Sequence, residues 1–244
     1  MTYSPPQYYI SYKKELTPTE LALYKECVAR LEANPAFMDY AAAWNKNEND
    51  AYTDNMYATV NYKMCCLREA LRLEDLKLLT GKKETILDIG CGTGYFSWFA
   101  KEAGHTVWSL DAPLDAPLDE GGKKIFIEGQ RLFALDMIYH TIEPFRPLPV
   151  LPRPCTLAVA FSPHFYNPST EDFWREPAWR FFLKDLASRM TPDGTIYFHM
   201  NQVISRPEFG VFGTAETKEL FLSLGSVTQG YIVRMDARAV QKLD

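Results

Sequence analysis

The chain has 244 residues, 47% of them hydrophobic and 14% aromatic, so it can bury a sizeable core and is not a disordered polymer. Its formal charge of -5 argues against a nucleic-acid backbone as the main partner, because phosphate binding needs a basic face. The opening stretch MTYSPPQYYISYKKEL has no apolar signal core, and no apolar run approaches the ~18 residues of a membrane span; the expectation is a cytoplasmic protein without a membrane partner.

In chain order, residues 1–80 read as a helical N-terminal extension. Thr17-Pro-Thr-Glu20 has the pattern of a capping box, and Leu21, Leu23, Tyr24, Val28 and Leu31 recur at helical spacing until Asn34-Pro35 breaks the run. A second apolar and aromatic stretch covers residues 37–44. A third helix is expected over 62–79, with Met64, Leu67, Leu71 and Leu78 on one face and a stop at Gly81. These helices serve either as ordinary packing or as a lid over a ligand mouth. The cysteines Cys27, Cys65, Cys66, Cys91 and Cys155 are odd in number and lack CxxC spacing, which points to reduced, mostly buried thiols and to neither a disulfide framework nor a zinc site.

From Thr85 the texture becomes alternating strand and helix. Short strands are expected at 85–88 and 106–111, with a helix at 95–103 between them. DAPLDAPLDE, with its prolines, is a loop; a helix follows over 122–136 and a third strand over 138–142. Placing that strand at 125–127 instead leaves no room for the crossover that neighbouring parallel strands need. The proline-rich FRPLPVLPRP leads to a fourth strand at 156–161. A helix at 177–190, a turn at Thr191-Pro-Asp-Gly194, a strand at 195–200, a helix at 215–224 and a strand at 231–235 complete the pattern. The fold class is α/β: a doubly wound, mostly parallel, Rossmann-like sheet over residues 81–244 with a helical N-terminal extension.

Ligands of such sheets sit at the carboxyl ends of the strands. There, after the first strand, stands Asp88-Ile-Gly-Cys-Gly-Thr-Gly94. Glycines let a backbone approach a ligand closely, and the helix that follows offers free N–H groups. A dinucleotide loop wants Gly or Ala where Tyr95 stands, and a carboxylate beside a pyrophosphate repels it. Beside a ligand ammonium the same carboxylate attracts. This favours S-adenosylmethionine, which carries an ammonium and a sulfonium and no phosphate.

These residues resemble the class I S-adenosylmethionine-dependent methyltransferases. ILDIGCGTG is similar to the first motif of that family at Asp88, Gly90, Gly92 and Gly94. The acid ending VWSLD, Asp111, matches the residue that holds the ribose hydroxyls, and Met190-Thr-Pro-Asp-Gly194 approaches the turn before the fifth strand. More loosely, PFRPLP and AWRFFLKDLASRMTPDG resemble bacterial methyltransferases of polysaccharide or secondary-metabolite pathways. The resemblance implies a class I methyltransferase-like fold, S-adenosyl-L-methionine as cofactor, and Cys91 and Ala112 in the cofactor-binding stretch beside those acids and glycines.

For the adenine end the third strand nominates Ile142 and Glu143, and the rejected placement nominates Asp136. Phe161 and Ser162 end the fourth strand and should line the methionine side. Methyl transfer to oxygen benefits from a base, and His164 in SPHFYNP is the first candidate, ahead of Tyr166 and His199; His105 and His140 look structural. The loop departs from the NPPY and DPPY phrases of members that methylate nucleic-acid or protein amide nitrogens. Aromatics within residues 165–179 suit acceptor binding by stacking. The expected function is methylation of a small-molecule acceptor, with O-methylation of a sugar or secondary metabolite first. A non-catalytic cofactor-binding partner protein, an NAD-dependent oxidoreductase and a macromolecular methyltransferase, which would need a basic docking face, are the alternatives. No clustered metal ligands are seen, and nothing in the sequence sets the oligomeric state.

Overall fold

A computed structural model describes residues 16–45, 62–113, 120–161, 165–167, 172–200 and 211–243. These divide into two compact units that interleave along the chain. One unit comprises Met1–Lys83, Thr93–Gly104 and Pro117–Leu135; the other comprises Glu84–Gly92, His105–Ala116 and Asp136–Asp244.

The first unit is helical. Helix α1 (Pro18–Glu32) starts as the capping box requires: the Glu20 amide donates to Thr17 Oγ1 at 3.3 Å, and the Thr17 amide donates back to Glu20 Oε2. Helix α2 (Pro35–Asn45) follows, with Asn34 Oδ1 accepting from the Ala36 and Phe37 amides. Helix α3 spans Tyr62–Asp75, shorter than the sequence reading, because the chain turns through Lys77 at φ 58°. Its buried face also differs. Met64 is 53% exposed, whereas Cys65, Cys66, Glu69, Ala70, Leu71 and Leu73 are buried. Glu69 is tolerated inside because Arg68 Nε and Arg72 Nη1 donate to it at 2.7 and 2.9 Å. Burial pushes its carboxyl up, but the two guanidiniums outweigh that and hold it below the usual range. Helices α4 (Tyr95–Glu102) and α5 (Glu120–Leu132) complete the unit, with Trp98 and Phe133 stacked at 4.9 Å. The helix at α5 confirms that residues 125–127 are not a strand.

The second unit is a seven-stranded sheet. Its strands are β1 (Thr85–Ile89), β2 (Thr106–Asp111), β3 (Met137–Tyr139), β4 (Cys155–Phe161), β7 (Met190–His199), β8 (Gly225–Thr228) and β9 (Ile232–Asp236); the pair β5 (Tyr166–Asn167) and β6 (Asp172–Phe173) stands apart. The order is β3-β2-β1-β4-β7-β9-β8. Strands β1 to β4 and β7 run parallel, and β9 pairs antiparallel with both β7 and β8. This is the doubly wound, mostly parallel sheet expected from the sequence, and its direction of winding switches between β1 and β4. Alternation puts Leu87 and Ile89, Ala158 and Ala160, Ile196 and Phe198, and Val233 and Met235 on one face. That face forms a core with Phe182, Leu183 and Leu186 of α6 (Glu176–Ser188), Phe221 of α7 (Ala215–Leu224) and Val240 of α8 (Ala237–Val240).

Two sequence readings of the sheet need correction. Strand β3 ends at Tyr139, not at Ile142. The His140 amide makes the last ladder bond, to the Asp111 carbonyl at 2.8 Å, and the prolines from Pro144 onward supply no further donors. Thr191-Pro-Asp-Gly194 is not a turn ahead of a strand but a bulge inside β7: the register jumps from Cys155 opposite Met190 to Leu157 opposite Thr195. Proline is admitted there because a bulge leaves its position unpaired. The short strand β8 and helix α8 carry weak periodicity and were not anticipated.

The connection from β3 to β4 contains no helix. Residues 140–154 cross instead as a proline-rich strap, with Leu148 and Leu151 buried in the core. Asp185 of α6 holds it: Oδ2 accepts from the Leu148 amide at 2.7 Å, and Oδ1 accepts from Arg189 Nη2 at 3.0 Å, while Arg189 also donates to the Leu148 carbonyl. Asp185→Ala strands a buried amide and a guanidinium together. We expect it to lower unfolding free energy by about 1.5–3 kcal/mol in a urea titration, with an unchanged m-value.

Candidate functional site

Parallel strands bring the carboxyl ends of β1, β2, β3 and β4 to one edge of the sheet, where Asp88, Asp111, Tyr139 and Phe161 stand. Asp88 is the penultimate residue of β1, opposite Ser109 on one side and Val159 on the other, and is 2% exposed. By alternation its side chain leaves the face opposite the Leu87–Ile89 core. Asp111 ends β2 and is partly buried.

The Asp111 carboxylate organises the loop that follows β1. Its Oδ2 accepts the Gly92 amide at 2.7 Å, and its Oδ1 accepts the Ala112 amide at 2.8 Å. The Leu110 carbonyl accepts from the Gly90 and Cys91 amides at 2.8 and 3.1 Å, so the end of β2 grips the loop at three successive residues. The Cys91 thiol lies 3.8 Å from Asp111 Oδ2. Burial, then Asp111, then Asp88 push that thiol up, so it remains protonated and inert. Burial raises the Asp111 carboxyl to about 6, although the Ala112 and Gly92 amides and the Cys91 thiol pull it down.

The loop backbone can follow this path because of its glycines. Gly90, Gly92 and Gly94 have φ of 68°, 56° and 90°, the left-handed region. Gly92 needs it to aim its N–H at Asp111. Gly94 needs it as the residue preceding α4, where a Cβ would also fall 2.1 Å from Leu135 Cδ1.

Ile142 and Glu143, expected at the adenine end, follow the end of β3 rather than closing it. The strand-end position in register with Asp111 belongs to Tyr139, 49% exposed, because β3 stops three residues before the expected end at Ile142. Ile142 packs against the sheet core, and Glu143 pairs with Arg146 at 2.7 Å on the surface. Asp136 lies at the opposite, amino end of β3, its carbonyl accepting from Ser109. Phe161 ends β4 opposite His199, the last residue of β7, and the His199 ring stacks on Tyr231 at 4.7 Å. His105 is structural, its Nδ1 accepting from the Glu84 amide at 3.0 Å. His164 and Ser162 lie outside the described residues.

Three of the aromatics expected to hold an acceptor belong to the core. Phe165, Trp174 and Trp179 are 6%, 6% and 3% exposed and pack on one another and on Phe182. Among the described residues no group of three or more His, Cys, Asp or Glu is placed to hold a metal ion, and no helix is long and apolar enough to cross a membrane.

No protein-family profile and no curated protein matches the chain. Solved structures to which it is similar include DesVI of Streptomyces venezuelae, at 17% identity over 57% of this chain and 52% of that one, with a TM-score of 0.40. Another is the glycopeptide N-methyltransferase MtfA, at 11% identity over 56% and 55%, TM-score 0.37. A third is the N-methyltransferase NodS from Bradyrhizobium japonicum WM9, at 16% identity over 69% and 93%, TM-score 0.44. The chain spans about half the length of the first two. All three likenesses are weak in sequence and in superposition.

The loop geometry is directly testable. Gly94→Ala adds a side chain at positive φ and displaces Leu135. It should cost at least about 1–2 kcal/mol of stability by chemical denaturation, the scale of left-handed strain in a residue with a Cβ.

Proposed function

We propose that this protein is an S-adenosylmethionine-dependent methyltransferase acting on a small molecule, with a hydroxyl of a sugar or secondary metabolite as the acceptor. The observation that carries the reading is the pair of carboxylates set about the glycine loop. Asp88 and Asp111 both act on the Cys91 thiol at the loop's centre. Ionised, the two carboxylates favour an ammonium or sulfonium there and disfavour the diphosphate of a nicotinamide cofactor.

The donor set fits a ribose. Asp111 Oδ1 has one backbone N–H bound and a lone pair left over, and Oδ2 can exchange its long Cys91 thiol contact for a stronger hydroxyl, so the carboxylate can accept two vicinal hydroxyls without giving up the backbone bonds to the loop. In this reading Asp111 holds the ribose, with Ala112 and Tyr139 beside the base. Asp88, Gly90, Gly92 and Gly94 face the amino-acid portion, and Phe161 lines its methionine side. The bound cofactor supplies a methyl group already activated on sulfur. The chain's own residues therefore have to position the acceptor and take its proton. His164, just beyond β4, is the proposed base, and His199, opposite Phe161, is second in line.

Two measurements test this. Calorimetry should detect S-adenosylmethionine or S-adenosylhomocysteine binding, and Asp111→Ala should weaken it by roughly 1–3 kcal/mol. In the free protein Asp111 takes up a proton near pH 6, and the ribose hydroxyls bind its ionised form. Affinity should therefore be full above about pH 7 and fall as pH drops through 6 towards 5; binding of NAD with no heat from either nucleoside would overturn the assignment. Separately, His164→Ala should lower methyl transfer by roughly 100-fold or more, followed as a mass gain on an acceptor panel; wild-type turnover would remove it as the base.

A further inference from the structure

Thr93 sits between Gly92 and Gly94, so its side chain is the handle by which that part of the loop can be gripped. It is 7% exposed. Its hydroxyl hydrogen-bonds the phenol of Tyr40, a residue of α2 that is 2% exposed. Gly129 of α5 lies against both. A Cβ built there would stand 2.3 Å from Thr93 Cγ2 and 3.3 Å from the Tyr40 hydroxyl oxygen, so the three groups close on one another with no room for a methyl group. The helices that carry this contact are fixed by rings: Phe37, one turn before Tyr40, stacks on Phe133 at 5.9 Å, and Phe133 stacks on Trp98 of α4. Burial, then Glu128, push the Tyr40 phenol up, so it keeps its proton under all working conditions.

A loop with three glycines in five residues has much backbone freedom to lose on ordering. Asp111 restrains it at Gly92. We propose that Tyr40 restrains it at the next residue, as a positioning residue that acts through Thr93. The helical extension would then contribute an ordering contact to the loop rather than packing alone. The loop-ordering claim stands on its own geometry; its consequence for affinity rests on the cofactor reading above.

Hydrogen exchange on peptides covering residues 90–98 tests it without any ligand. Tyr40→Phe and Thr93→Val should each speed exchange there by roughly three- to tenfold, the range for loss of one hydrogen bond. Peptides of α1 and α3 should be unchanged, the double variant should add little, and Thr93→Ser should retain most of the protection. Unchanged loop exchange, or acceleration spread equally over α1 to α3, would overturn the proposal. The S-adenosylhomocysteine dissociation constant should rise by the same factor as the exchange rate; loop exchange that accelerates while the wild-type protein binds no such nucleoside would keep the latch and sink the cofactor assignment.

Discussion

The bond between the Asp111 carboxylate and the Gly92 amide is the constraint around which the site is arranged. A carboxylate taken out of water must be compensated, and here the compensation is backbone N–H from the end of its own strand and from the loop after β1. The same bond dictates the glycine. To turn its N–H towards β2 while the chain passes on to α4, residue 92 takes φ 56°, which a residue with a Cβ adopts only under strain. The compensation is incomplete, as the raised carboxyl shows, and an acid left in that condition gains from further hydroxyl donors.

A second acid gives the site its sign. Asp88 emerges from β1 on the face that the sheet core does not use, and its charge reaches the Cys91 thiol together with that of Asp111. Two anionic groups about an open backbone are a poor setting for phosphate and a good one for a cation. Three of the rings between residues 165 and 179 that promised a stacking surface, Phe165, Trp174 and Trp179, are in the hydrophobic core and contact Phe182.

Much of the architecture was legible because it rests on local signals. The capping box at Thr17, the 3.6-residue periodicity of 215–224 and the buried apolar run of 155–161 each state their structure within a few residues. Where reading failed, a distant partner had overruled the local pattern. Thr191-Pro-Asp-Gly194 has turn composition, yet β4 holds both ends of that stretch in one ladder and makes it a bulge. Ile138 to Ile142 looks like a single strand, and only the pairing with β2 ends it at Tyr139.

The amino-acid sequence by itself determined the alternation of strands and helices, the glycine loop and the two acids that bracket it, because periodicity, turn chemistry and charge are properties of near neighbours in the chain. Tertiary structure alone decided which oxygen meets which amide, that Tyr139 rather than Glu143 stands level with Asp111, and that Tyr40 reaches Thr93 from more than fifty residues away. Those outcomes depend on strand register and on helix-to-helix packing. Both are settled by the sum of many contacts across the fold, and a shift of one residue changes the side chain that faces the site.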